Sequence, residues 1–380
     1  MNHALALLGT LSLLLTGPAA AQTVSFVETF DGSNVGAWTW GTGNQGLSPI
    51  NGNPGGYLQD LTLFTCCPLL GTQDASPFTG DYRAKGVVSV GVDLITLDAD
   101  FGIGERPLTA MLVNDNGTPG NFEDDWGAMF IGEKTVPQAG VPIESPAGWT
   151  DFDFALDAAS STLPDGWTLF GTNELPGGVT WDAIVTDVDS LEFYYGVPGT
   201  IYLFNSWDVG LDNARIAMAD CNGNGIADPI DIGMGTSTDF DGNGTPDDCD
   251  PLSVDGVQLS LSAGGTQSFA LDAGAGLAGE IYWIVGSVTG TSPGLTSGGV
   301  TLPLNFDVYT QFTLELANLW IANSLGLLDG AGAGSASLTL GAGFDPTLAG
   351  LQLHHAYAVI DLGPITPLFA SNAVPLLLVP

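Results

Sequence analysis

Apolar and polar positions alternate along most of the chain in short runs, with clusters of Gly, Asn and Asp between them. Val257, Leu259 and Leu261 alternate with polar residues, Ala263-Gly264-Gly265 turns the chain, and Phe269 and Leu271 resume the pattern. A period of two over such lengths turns one face of a strand toward a core. Further runs at Ile281–Val285, Phe312–Leu316, Ser335–Leu340 and Leu351–Ile360 predict a small sandwich of about seven strands. Ala373–Pro380 predicts a terminal strand. Upstream, Val87–Val92, Ala110–Val113, Ala128–Ile131, Trp149–Phe154, Leu191–Tyr195 and Thr200–Phe204 have the same character. That longer segment fits a jelly-roll sandwich better than an immunoglobulin-sized one.

Ala4–Leu15 is nearly unbroken Ala and Leu, Gly17-Pro18 breaks it, and Ala19-Ala20-Ala21 precedes Gln22. This is the pattern of a secretory signal peptide over residues 1–21. No later run reaches the roughly 18 apolar residues that span a bilayer, and no amphipathic helix is predicted beyond the signal. The expected class is all-β: an N-terminal jelly-roll sandwich over 22–218, a short connector over 219–251, and a smaller C-terminal β-sandwich over 252–380. The expected location is secreted, extracellular or at the cell surface, without membrane insertion.

Composition sharpens this picture. Of 380 residues, 42 are Asp or Glu and five are Lys or Arg, for a net charge of −37. Nucleic acid and anionic lipid surfaces are repelled at that charge. Disorder is excluded by 44% hydrophobic residues and nine Trp, which supply a core. All five cations, Arg83, Lys85, Arg106, Lys134 and Arg215, fall in the first segment, and residues 252–380 hold eight acids and none. Most carboxylates must therefore find water, hydrogen bonds or metal.

The connector offers the metal. Asp220, Asn222, Asn224, Ile226, Asp228 and Asp231 stand at positions 1, 3, 5, 7, 9 and 12 of an EF-hand-like calcium loop, with Gly225 at position 6. Asp239, Asp241, Asn243, Thr245, Asp247 and Asp250 repeat the frame around Gly244. Oxygen side chains at 1, 3 and 5, a Gly at the sharp turn, and a carbonyl at 7 suit a hard cation with six to eight oxygen ligands. Position 12 is Asp in both loops, where helix-flanked sensor loops carry the longer Glu. Calcium is the expected cofactor.

Only seven residues, Ile232–Thr238, separate the two loops. The block resembles the aspartate-rich repeats of thrombospondin type 3 arrays and the dockerin-like Cys-containing pairs of secreted bacterial proteins. In such pairs Cys is common at positions 2 and 11, and here Cys221 and Cys249 hold one of each. The resemblance and an exported location together imply a Cys221–Cys249 disulfide. Cys66 and Cys67 are adjacent, leaving open a vicinal disulfide, two buried thiols, or pairing between molecules.

The first segment opens Phe26-Val27-Glu28-Thr29-Phe30-Asp31-Gly32 and closes Trp207-Asp208-Val209-Gly210-Leu211-Asp212-Asn213. This framing resembles carbohydrate-binding jelly rolls and laminin-type modules. It implies that the first and last strands lie side by side and that Glu28, Asp31 and Asp212 share a structural calcium; the alternative is that these acids cap strand ends. Trp38, Trp40 and Trp126 are candidates for stacking on a sugar, the alternative being that they fill the core. Asn114-Asp115-Asn116-Gly117 and Glu123-Asp124-Asp125-Trp126 flank a long loop with room for a cation or polar ligand.

Catalytic motifs fail on context. Gly290-Thr291-Ser292-Pro293-Gly294 fits G-x-S-x-G, but Pro293 lacks the N–H that helps form an oxyanion hole and no helix follows. Past the signal only His354 and His355 remain, on opposite faces of one strand. The expected function is a non-catalytic, calcium-binding, extracellular glycan-binding or adhesive protein with a glycan or surface-matrix partner. The alternative is an accessory part of polysaccharide degradation whose connector docks on a cohesin-like protein.

Overall fold

The structure, a computed structural model, describes residues 22–32, 35–41, 45–72, 76–99, 106–136, 148–361, 363 and 366–380. The expected signal peptide lies outside them. The described chain forms two compact units, Gln22–Ile230 and Asp231–Pro380. The block predicted over 219–251 is divided between them, the first loop's residues through Ile230 falling in one and the second loop in the other.

The first unit is built from β1 (Thr23–Glu28), β2 (Trp38–Trp40), β3 (Gln45–Gly52), β4 (Gly55–Thr65), β5 (Leu69–Thr72), β6 (Val87–Ala99), β7 (Arg106–Asn114), β8 (Trp126–Val136), β9 (Thr150–Ala155), β10 (Trp167–Gly171), β11 (Ser190–Tyr195) and β12 (Asn205–Ala219). One six-stranded sheet runs β3-β4-β12-β6-β9, with β1 also on β12; the other runs β10-β8-β7-β11-β5-β2. β1 and β12 pair antiparallel from Thr23↔Ala219 to Glu28↔Ala214, so the first and last strands do lie side by side. Alternation turns Trp38, Leu58, Phe152, Phe154, Phe193 and Trp207 into the space between the sheets. Each such side chain contributes about 1.5–3 kcal/mol by leaving water. Trp38 stacks on Phe193 with centroids 5.9 Å apart and meets Phe78 edge-on at 4.9 Å.

Arg215 ties the first sheet's charge together. Its guanidinium reaches Asp93 at 3.1 Å, Asp153 at 3.6 Å, and also Asp151. A Cβ at Gly91 would lie 2.7 Å from that guanidinium, so only Gly lets the arginine cross β6. Asp93 is buried, and Asn53 and Asn213 donate their amides to it at 2.9 and 2.7 Å.

The second unit comprises β13 (Leu252–Val254), β14 (Gln258–Ser260), β15 (Gly265–Asp272), β16 (Ile281–Ser287), β17 (Leu295–Ser297), β18 (Val300–Leu302), β19 (Ile321–Ala322), β20 (Leu325–Leu327), β21 (Ala333–Leu340), β22 (Gln352–Asp361), β23 (Thr366–Ala370) and β24 (Val374–Val379). Its sheets run β13-β15-β21-β19 and β14-β24-β22-β16-β20, with β23 also on β22 and β17–β18 a separate hairpin. The tail is a strand, as expected, and pairs parallel with β14.

Two predicted strands are something else. Thr200–Phe204 is mostly unpaired loop, with Ile201 97% exposed, so its apolar run belongs to no core. Phe312–Leu316 falls largely in a helix, Val308–Glu315, one of four short α-helices among the described residues where none was predicted. A short apolar run reads alike as strand or helix, and here the cap decides. Asp307 and Thr310 form a capping box. The Asp307 carboxylate also accepts N–H bonds from Val288 at 2.8 Å and Thr289 at 3.0 Å. Burial works against its charge, yet these donors hold its pKa far below the ordinary carboxylate value.

Replacing Asp307 with Ala is expected to destabilise the protein by about 2 kcal/mol at pH 7. Because the folded-state pKa is depressed, the wild-type advantage is fully present above the unfolded pKa of roughly 3.9 and shrinks progressively as pH falls from there through the folded-state value. Urea denaturation of both proteins at pH 7 and pH 2.5 measures this, and a pH-independent difference contradicts it.

Candidate functional site

The second sheet of the first unit turns one face away from the core. Because side chains alternate, Trp38 and Trp40 point inward and Thr39 outward on β2, while Leu191 and Phe193 point inward and Ser190 and Glu192 outward on β11. Glu192 stands opposite Met111 of β7 and Gly71 of β5. A Cβ at Gly71 would lie 3.2 Å from Glu192 Cγ, so the missing side chain gives the carboxylate room to lie along the sheet.

A loop from Asp115 to Asp125 folds over this face. Asp115 N–H donates to Asp189 at 2.9 Å, and Thr172 N–H donates to the Asp125 carbonyl at 2.9 Å, fixing both ends. Within the loop Asp124 gathers Thr118 Oγ1 at 3.0 Å and Asn121 Nδ2 at 2.7 Å, which presents Phe122 at the tip. Beneath lie two adjoining lobes of about 470 and 530 Å³ that share Val113, Phe122, Asp125 and Glu192. Asp115, Asp189 and Ser190 line one; Thr39, Met111, Phe170 and Thr172 line the other. Neither has a Lys or Arg in its lining. Lys85 turns its ammonium to the Pro77 and Thr79 carbonyls.

Four carboxylates without a cation repel one another. Burial pushes Glu192 up to about 7; the Ser190 hydroxyl lowers it and the Asp125 charge raises it further. Asp125 and Asp189 are raised as well, by burial first and then by neighbouring acids including Asp115. The cleft therefore combines hydrogen-bond acceptors, hydroxyls and the apolar faces of Phe122, Phe170 and Met111.

The sequence placed Asp115 and Asp125 beside a ligand loop, and both line the cleft. Asp189 and Glu192 carried no local signal, because only sheet pairing brings them there. Of the two readings offered for the tryptophans, the structure takes the core one. Trp38 and Trp40 are core residues, Trp40 showing only an edge to the cleft, and Trp126 packs half-buried against the core. Period-two alternation on paired strands sends all three inward.

The cysteines resolve as one bridge and two thiols. Cys221 and Cys249 are disulfide-bonded, as expected. Cys66 and Cys67 are free, the bridge between them being absent. Adjacent Cα atoms sit about 3.8 Å apart, below the roughly 4.4 Å minimum of ordinary disulfides. Burial pushes the Cys67 thiol up to about 12, with Tyr194 lowering and Cys66 raising it, which keeps it protonated.

The two predicted calcium loops share one conformation. Asp220 accepts N–H bonds from Asn224 at 3.1 Å and Gly225 at 2.9 Å; Asp239 accepts them from Asn243 at 3.1 Å and Gly244 at 3.0 Å. Asp228 takes Cys221 N–H at 2.9 Å and Asp247 takes Phe240 N–H at 3.2 Å, position 9 to position 2 in each case. Asn224 and Asn243 accept from Ile226 and Thr245, position 5 to position 7. Gly225 and Gly244 adopt φ of +85° and +88°, the left-handed turn that favours Gly at position 6. Position 12 differs: Asp231 takes the Thr236 and Ser237 hydroxyls, whereas Asp250 takes Asn243 Nδ2 at 2.9 Å. Burial, together with Asp241, Asp247 and Asp239, pushes Asp250 up to about 7. Asn372 Nδ2 donates to Asp241 at 3.0 Å, anchoring the second loop to the sandwich beside β13 and β24. Among the described residues no three His, Cys, Asp or Glu side chains converge as a metal cluster. The loops' donor sets instead mix carboxylate, amide and carbonyl oxygen, which is a hard-cation chemistry.

Asp31 and Asp212 meet at the turn between β3 and β4. Gly56 N–H donates to Asp31 at 2.6 Å, and Asn53 and Asn213 N–H donate to Asp212 at 2.5 and 2.7 Å. Burial first, then Asp93 and Asp31, pushes Asp212 up to about 7 against those donors. Glu28 takes the N–H of Phe30 in its own loop.

No protein-family model and no curated protein matches the chain. Solved structures similar to part of it include an exo-beta-agarase, with TM-score 0.29 and 13% identity over 52% of this chain and 25% of that one. CtCBM11 matches with TM-score 0.30 and 15% identity over 52% of this chain and 96% of that one. A carbohydrate-binding module specific for non-crystalline cellulose, CBM28, matches with TM-score 0.25 and 12% identity over 50% and 93%. The chain thus spans a quarter of the agarase's length. At these TM-scores the likeness carries no argument about ligand or activity.

Proposed function

We propose that the protein is an exported, non-catalytic glycan-binding protein whose cleft over the second sheet holds a neutral sugar chain. The observation that carries this is the cleft's lining: four carboxylates and several hydroxyls beside aromatic and aliphatic faces, with no cation. Sugars present hydroxyl donors on their edges and C–H groups on their faces, and this mixture suits both. Uronate or sulfated chains meet only repulsion there. A glycan array probed with the full chain is expected to give binding to neutral glycans and none to anionic ones. Phe122→Ala is expected to weaken binding about ten-fold, equal to about 1.4 kcal/mol. Binding confined to anionic glycans, or unaffected by that change, rejects the cleft.

Glu192 gives a pH test of the same site. Its folded pKa is raised, so folding with an ionised carboxylate becomes costly as pH rises from the unfolded value through about 7. Glu192→Gln removes that cost. The variant is expected to melt higher than wild type at pH 8, with the gap shrinking toward pH 4.5; scanning calorimetry across that range decides it.

The paired loops fit calcium through Asp220, Asn222, Asn224, Ile226 and Asp228, with Asp231 at position 12, and through Asp239, Asp241, Asn243, Thr245, Asp247 and Asp250. Bound calcium would neutralise the crowded acids and stiffen each loop. Calorimetric titration of the full chain is expected to find two equivalents, and Asp220→Ala and Asp239→Ala to remove one each. Three equivalents would add the Asp31–Asp212 pair; unchanged stoichiometry in both variants refutes the loops.

A further inference from the structure

The second unit holds a cavity that glycan binding leaves unused. It has a volume of about 240 Å³, and every lining side chain except Thr339 is aliphatic or aromatic. Its walls come from both sheets, with Leu338 and Leu340 on β21 facing Leu353 on β22 and Leu378 on β24. Phe312 of the Val308–Glu315 helix and Trp320 stand at the same wall, their rings 5.6 Å apart, and Trp320 is 44% exposed at the mouth.

The cavity has a topological cause. β19 is two residues long and pairs Ile321 with Leu338 and Ala322 with Ser337, so the sheet ends before it reaches Leu340. Helix and loop aromatics close that gap only in part. The one polar group reaching in from the helix is tied off, since the Tyr309 hydroxyl bonds Nε2 of buried His355 at 2.9 Å.

Protein interiors close-pack with few voids larger than a water molecule. An apolar cavity stays dry and accepts apolar guests of matching size. Charge narrows the guest. Residues 252–380 contain no Lys or Arg and eight acids, so nothing around this mouth compensates an anionic head group. We propose that the cavity between β21, β22, β24 and the Val308–Glu315 helix binds a small, neutral, apolar molecule and rejects its anionic analogues. This site is independent of the glycan cleft.

A matched pair of fluorescent probes tests both halves of the proposal on the full chain. N-phenyl-1-naphthylamine is neutral, and 8-anilino-1-naphthalenesulfonate has nearly the same skeleton with a sulfonate. The neutral probe is expected to bind saturably at one equivalent, and the sulfonate at least ten-fold more weakly. Leu340→Trp on β21 and Leu348→Trp in the Pro346–Leu348 turn, each filling the cavity from its lining, are expected to abolish the neutral probe's response in whichever variant keeps its near-ultraviolet circular dichroism. In wild type, methyl NMR is expected to show Leu353 and Leu378 shifting with the neutral probe. Equal affinity for the sulfonate, a response surviving in a folded filled variant, or unmoved Leu353 and Leu378 methyls overturns it.

Discussion

Carboxylates in this molecule must be satisfied without cations, and that constraint shapes nearly every loop. Five basic residues face 42 acids, and Arg215 alone engages three of them. Many of the remaining acids turn to backbone N–H, hydroxyl and amide donors. Asp307 caps a helix and fastens the β16 end to it; Asp124 organises the cleft loop; Asp220 and Asp239 each fold a loop around themselves. Where burial outweighs such donors and neighbouring acids add their charge, the carboxyl shifts toward its protonated form, as at Glu192, Asp212 and Asp250.

The same constraint separates the two units chemically. In the first, surplus acceptors lie against apolar faces in a broad cleft, an arrangement that hydroxyl-rich ligands can satisfy. In the second, acids are fewer and the sandwich interior is mostly apolar, with His355 and a few hydroxyls buried in it. There the weak point is packing: an edge strand only two residues long leaves a cavity, and aromatic side chains only partly close it. The second of the tandem loops belongs to the first pattern, since Asp239, Asp241 and Asp247 crowd Asp250 with no basic side chain among them.

The sequence by itself determined the class, because period-two alternation has one physical meaning on a pleated strand. It also determined the tandem loops, because Gly at a sharp turn and oxygen side chains at fixed offsets are local requirements. The side-by-side terminal strands of the first unit came from a resemblance to known modules, and the structure has them. What failed were short apolar segments. Phe312–Leu316 took helix from the Asp307 cap, and Thr200–Phe204 paired with no strand.

Tertiary structure decided which side chains meet. Asp115 and Glu192 are far apart in sequence and line one cleft only because β7 and β11 pair in a particular register. The fate of Trp38, Trp40 and Trp126 depended on which strand face the opposing sheet covered. The apolar cavity depended on where β19 ends. Local pattern fixes a strand's two faces, but burial is a property of pairs of sheets, so only the assembled fold could assign core, cleft and cavity.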